Sequence, residues 1–300
     1  MSRQIFEVTL NSSIFSMHLR LVVSMAVYFY LHIVYGNGVL AQQTNRKDTV
    51  QVTVDDHKMS MYVAGTGKYT VVLEAGGSSN HRCYRTIDTS LAKITRVVSY
   101  DRPGYLKSEI CNKSRDAITI AKELKEALAT GGYPPPYILV GWSMGGSFAK
   151  VFCGLYPADV AGLVLIDPCP EDFYTRMQKE HPELMKEDSI YMQEILTSTG
   201  RPGEREEMKA FDTSMHQAKL SDAAHATPTT LLIASYGKIP GDGEKDPNNP
   251  MNLMWVEELK KWASKRPNLQ YSLLNSGHHI AKEHPALVIK AITDMIEQLK

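Results

Sequence analysis

The segment ILVGWSMGGSFAKVF, residues 138 to 152, sets one serine, Ser143, between glycines where an apolar run gives way to helical spacing. A serine in a tight turn from strand to helix presents its hydroxyl away from the sheet. Glycines two residues to either side are needed where neighbouring chain passes too close for a Cβ. The amino end of the helix lends positive potential, and the backbone N–H of Met144 is free to meet a developing oxyanion. Gly-x-Ser-x-Gly alone also describes a glycine-rich turn with no chemistry. Placed between an apolar strand and a helix, Ser143 reads as a nucleophile.

A hydroxyl at neutral pH needs a base, and histidine is the natural one. Of the ten histidines, His278 in LLNSGHHIAKEHP falls in a loop directly after the last strand signal, preceded by Ser276 and Gly277, so its ring can turn back over the strand ends. His279 is the immediate rival and His284, beside Pro285 at a helix start, a weaker one. The acid that orients the imidazole is open between two loops. Asp167 ends one strand in LVLIDPCPEDF, while Asp242 and Asp246 follow the next in SYGKIPGDGEKD. Each aspartate also suits a turn or a helix cap.

The elements that must carry these residues alternate. Residues 49–54 (TVQVTV) and 58–64 (KMSMYVA) read as a hairpin, and YTVVLEAG from Tyr69 is a third strand. RVVSYD, YILVGW, AGLVLID, TTLLIAS and LQYSLLN repeat the short apolar signature of strands buried on both faces. Between them lie amphipathic stretches, one marked by Ala117, Ala121, Leu124 and Leu128, another by Val288, Ile292, Met295 and Leu299. The pattern predicts an α/β fold, a mostly parallel central sheet flanked by helices and entered through an antiparallel hairpin. Ligands of such sheets sit at the carboxyl ends of the strands. About sixty residues from Pro168 to Pro228 exceed a simple crossover, and predict a helical lid whose Met and Tyr side chains line a pocket.

The 33 basic residues balance the 33 acidic ones, and no segment clusters Lys and Arg with aromatics, which argues against a nucleic-acid partner. Leu21 to Tyr35 is an apolar run after Arg20, leading through Gly36, Asn37 and Gly38 to Val39-Leu40-Ala41. It reads as a secretory signal peptide over residues 1–41, with the globular domain at 42–300. An uncleaved membrane anchor is the alternative, and Met17 offers a second start. Export makes a Cys83–Cys111 disulfide an expectation, since both follow strand ends in loops, while Cys153 reads as a core residue. No cysteine pair has zinc-site spacing.

Over about residues 49 to 300 the chain resembles the α/β-hydrolase superfamily. The resemblance rests on the elbow at Ser143 together with VVLEAGGSS, VVSYDRPGYLKSE and LVLIDP, and is to serine hydrolases grouped with esterases and proline-iminopeptidase-like enzymes. It implies the order Ser, acid, His, met by Ser143, Asp167 or Asp242, and His278. It also implies a second oxyanion donor in the loop after the third strand, at Gly77 with Gly76 adjacent, and a structural Asp101. The chain departs from the family in having Ala75-Gly76 where a His-Gly pair is usual and Leu106 where a glycine is usual. Family members with the acid after the penultimate strand carry it three residues past a glycine. From Gly237 that position is Pro240, which favours Asp167 over Asp242.

These readings converge on an exported serine hydrolase acting on a small ester or amide through an acyl-enzyme, with no metal or organic cofactor required. The rivals are an aminopeptidase of the proline iminopeptidase type, for which Glu171, Glu180, Glu183 and Glu187 would offer acids to an α-amino group, and a ligand-binding protein on the same fold.

Overall fold

The computed structural model describes residues 48–197, 201–221, 226–236 and 248–300. Eight strands form one sheet in the order β1-β2-β4-β3-β5-β6-β7-β8. β1 (Asp48–Val54) and β2 (His57–Ala64) are the expected hairpin, and β2 runs antiparallel to β4 (Arg96–Asp101). From β4 onward β3 (Thr70–Glu74), β5 (Tyr137–Trp142), β6 (Val160–Ile166), β7 (Thr229–Ala234) and β8 (Leu269–Leu274) are parallel.

The central strands are apolar on both faces because both faces are covered. Along β3 and β5, Val72, Tyr137 and Leu139 join one core, while Val71, Leu73, Ile138 and Val140 join the other. The first core is closed by α1 (Ala117–Thr130) and α2 (Met144–Leu155), the second by α8 (Pro285–Gln298) with Val288, Ile292 and Met295. Asp116 starts α1 by accepting the backbone N–H groups of Ile118 and Thr119, both at 3.1 Å.

Among the described residues, four helices intervene between β6 and β7: α3 (Phe173–Glu180), α4 (Met185–Thr197), α5 (Pro202–Lys209) and α6 (Phe211–Leu220). A seventh, α7 (Pro250–Ala263), connects β7 to β8. Gly203 at the start of α5 lies against the loop after β4, where a Cβ on Gly104 would come within 2.6 Å of its nitrogen.

The expected Cys83–Cys111 disulfide is not formed, and none of the four cysteines is in a disulfide. The sheet separates the two. Cys83 packs with the core on the α8 side, whereas Cys111 faces Arg115 and Glu123, and Glu123 lies on α1 against the opposite face. Residues 1–41, expected to be a leader, lie outside the described residues. Among those described, no helix is long and apolar enough to cross a membrane.

Candidate active site

Ser143 occupies the turn between β5 and α2 at φ 54°, ψ −126°. An L-residue reaches this left-handed region only where the surroundings hold it there. Three backbone bonds do so: Ser143 N–H donates to Ile166 O at 3.1 Å, and Ser143 O accepts from Gly146 N–H at 2.9 Å and from Cys169 N–H at 3.0 Å. The hydroxyl makes no capping bond to α2. The flanking glycines answer to close backbone approach: a Cβ on Gly145 would stand 2.4 Å from Ala75 O, and one on Gly141 2.6 Å from Gly145 O.

Asp167, the residue after β6, also has a left-handed backbone, at φ 42°, and is 1% exposed. Its Oδ2 lies 2.6 Å from His278 Nδ1, while its Oδ1 accepts from the Ala234 N–H at 3.1 Å and from Trp255 Nε1–H at 3.0 Å. A carboxylate receiving these donors places the ring proton on Nδ1 and leaves Nε2 as the basic nitrogen.

His278 is held by Trp142, the residue before Ser143. Trp142 Nε1–H donates to His278 O at 2.8 Å, and the two rings lie 5.3 Å apart. The preceding turn is fixed by Glu283, which accepts the Gly277 N–H at 2.9 Å. The rival His279 also packs against the Trp142 ring, at 4.7 Å, and lines a small cavity with Cys83, Tyr84, Ala281 and Lys282. His284 sits at the amino end of α8. Asp242 and Asp246 lie outside the described residues.

Gly77 lies over the start of α2, where a Cβ would meet Met144 Sδ at 3.0 Å and Met208 Cε of α5 at 3.3 Å. Gly76 is pressed against the Trp142 ring and Ser143 Cβ. Asp101 lies 2.7 Å from His81 Nδ1 and accepts the Tyr62 O–H at 2.8 Å.

Trp255, Glu283, Arg102 and Glu207 were not foreseen as parts of this region. Trp255 and Glu207 belong to helices whose apolar and charged faces read as ordinary core and solvent. Arg102 had a signal, a charged residue directly after an apolar strand in the DRPGY stretch.

For metals, the described residues bring His57, Cys111 and Glu123 within 4.8 Å of one another. Arg115 already occupies the space as a cation: Nη1 lies 2.8 Å from Glu123 Oε1 and 3.2 Å from Cys111 Sγ. This group is not an open ligand set.

A family model described as alpha/beta hydrolase fold matches residues 69–216. The uncharacterized protein YbdG of Bacillus subtilis is 31% identical over 158 residues, which are 52% of this chain and 48% of that protein. The monoacylglycerol lipase ABHD6 of Rattus norvegicus is 30% identical over 149 residues, 47% of this chain and 42% of that one. The match thus spans about half the length of these relatives. A thermophilic esterase from Thermogutta terrifontis superposes with TM-score 0.59 at 19% identity, covering 84% of this chain and 99% of that one, and speaks for the fold alone. The chain belongs to the α/β-hydrolase superfamily.

Proposed function

We propose that the chain is a serine hydrolase that cleaves a carboxylic ester through an acyl-enzyme on Ser143. The observation that carries this reading is the 2.6 Å contact of Asp167 with His278 Nδ1, taken with a serine held at left-handed φ in the turn after β5. In the first step Ser143 Oγ bonds to the carbonyl carbon while His278 Nε2 takes its proton, and the carbonyl π electrons move onto oxygen. The N–H groups of Met144 and Gly77 receive that oxyanion. The carbon–alkoxide bond then breaks, and the leaving alkoxide takes the proton from His278. Water repeats the sequence, releasing acid and restoring Ser143.

The relative named as a monoacylglycerol lipase favours an ester over an amide. The aminopeptidase alternative needs free carboxylates near the entrance; of the acids named for it, Glu171 pairs with Lys150 and Glu180 with Arg176, and Glu183 lies 3.5 Å from His181. Export through the leader expected over residues 1–41 belongs to the reading and stands on the sequence alone. Recovery of the protein with residues 1–41 intact would refute cleavage.

A fluorophosphonate probe is expected to label the folded wild type and not Ser143→Ala. The same substitution should lower p-nitrophenyl acetate turnover by about 10⁴-fold or more. A folded wild type that takes no label would remove the nucleophile.

A further inference from the structure

β4 ends in Asp101, and it and the following Arg102 turn their side chains to the loop that carries Gly77. Arg102 Nη1–H donates to Ala75 O at 2.7 Å and Nη2–H to Gly76 O at 2.9 Å. Asp101 Oδ1 accepts the His81 backbone N–H at 3.3 Å and lies 2.7 Å from that ring, on which Tyr62 stacks at 3.7 Å. The turn between residues 75 and 81 is fastened at both ends.

The guanidinium is in turn gripped by two carboxylates. Nη1–H also reaches Glu74 Oε1 at 2.7 Å, and Nε–H and Nη2–H reach Glu207 at 2.6 and 3.0 Å, with Tyr105 O–H donating to Glu207 at 2.8 Å. Arg102 and Glu74 are each 2% exposed and Glu207 is fully buried. Glu207 comes from α5, in the insertion; Glu74 ends β3 and Arg102 follows β4 directly.

The geometry of one peptide gives this network a consequence. Gly76 C=O and Gly77 N–H belong to the same planar unit and point in opposite directions. A donor that fixes the carbonyl therefore aims the amide.

We propose that Arg102 is a positioning residue coupling the helical insertion to the oxyanion turn: Glu207 fixes the guanidinium plane, and the guanidinium, through Gly76 O, directs the Gly77 N–H. This rests on the serine-hydrolase reading, since a directed amide matters to turnover only if an oxyanion forms beside it. A bidentate guanidinium suits the task because its flat fork transmits orientation, which a lysine would not. Stability alone is a poor reason for the arrangement, since a buried ion pair offsets little more than its own desolvation. The charges are moreover unequal, one guanidinium to two carboxylates. Burial pushes the Glu74 carboxyl up against the pull of Arg102 and Tyr100, and the charge of Glu207 pushes it further.

That inequality makes Glu207→Gln a usable test, because the variant leaves Arg102 and Glu74 balanced. Hydrogen exchange of residues 74–84 is expected to quicken roughly tenfold in Glu207→Gln, with β8 unchanged as a reference. On p-nitrophenyl acetate kcat should fall about tenfold or more while KM stays within about twofold. The inhibition constant of phenylboronic acid, whose tetrahedral adduct needs the same amide, should rise in step with the loss in kcat. Tyr105→Phe, which removes one hydrogen bond to Glu207, should move all three readouts in the same direction by less, and it decides the matter if Glu207→Gln fails to fold. Unchanged exchange at 74–84 in a folded variant overturns the coupling whatever the activity does. Faster exchange with unchanged kcat overturns the positioning role. A wild type inert to ester and to phosphonate would instead defeat the serine-hydrolase reading, and the exchange result would still judge the coupling.

Discussion

The carboxylate of Asp167 accepts from Ala234 N–H and Trp255 Nε1–H on one oxygen and meets His278 Nδ1 on the other. Asp167→Asn keeps the shape but turns an amide N–H toward a ring N–H or forces the other tautomer. On the proposed assignment kcat should fall by about 10⁴-fold, as removal of the acid's charge does in serine hydrolysis generally, with KM little changed. Trp255→Phe removes one donor to a buried charge and should cost about 1.5–3 kcal/mol of stability, read as a lower melting temperature. Its activity loss should be far smaller than that of Asp167→Asn. A kcat for Asp167→Asn near that of wild type would move the acid elsewhere. At this scale the sequence singles out residues where side-chain type and chain position coincide, as at Ser143 and His278. The acid was ambiguous because an aspartate after a strand serves a turn as readily as an imidazole. Trp255 was illegible because its N–H meets Asp167 from 88 residues away in the chain.

Elements were the most legible level, and the reason is burial. Strands β3 and β5 are buried at every position, so their apolar runs leave little freedom in where they begin and end. β8 carries a similar apolar signature yet is mostly exposed, with Tyr271 at 49% and Leu273 at 46%, because it pairs with β7 alone at the margin of the sheet. The packing of α2 onto β3 was readable only as a need for glycine, and the structure shows what Gly145 meets: Glu74 O and Ala75 O, 2.5 and 2.4 Å from where a Cβ would stand. Both are backbone atoms and cannot swing aside. Gly145→Ala should therefore destabilise the fold by about 1–3 kcal/mol and, on the proposed assignment, reduce turnover, since α2 and the loop after β3 must separate. A melting temperature within a degree of wild type would show that the two elements yield more easily than this contact implies. The charged residues of the insertion hid the reverse case. Glu207 reads as one more solvated helix charge in PGEREEMK, and it is fully buried on Arg102.

Across the whole molecule, the sheet acts as a partition, and this is what defeated the disulfide expected from loop positions alone. Cys83 and Cys111 each follow a strand end, yet they face opposite cores. The intact protein should take up four alkyl groups when denatured without reductant, one for each of its four cysteines. A mass lacking two of them would restore a bridge. In the folded protein Cys83 should resist iodoacetamide at neutral pH, because burial pushes its thiol up to about 12 and the reactive thiolate is scarce.

The left-handed backbone at Ser143 and Asp167 also bears on how such a chain changes over generations. At Ser143, whose hydroxyl makes no capping bond, glycine would relax the turn by about 1 kcal/mol or more, so a lineage selected for durability alone would drift toward glycine there. Asp167 is different, because glycine would leave its buried partners Ala234 N–H, Trp255 Nε1–H and His278 Nδ1 unpaired. On the proposed assignment Ser143 bears the nucleophile, so selection for the reaction and selection for a sturdier fold pull against each other at that one residue, and a stabilising screen run without an activity check should be expected to find glycine at that turn.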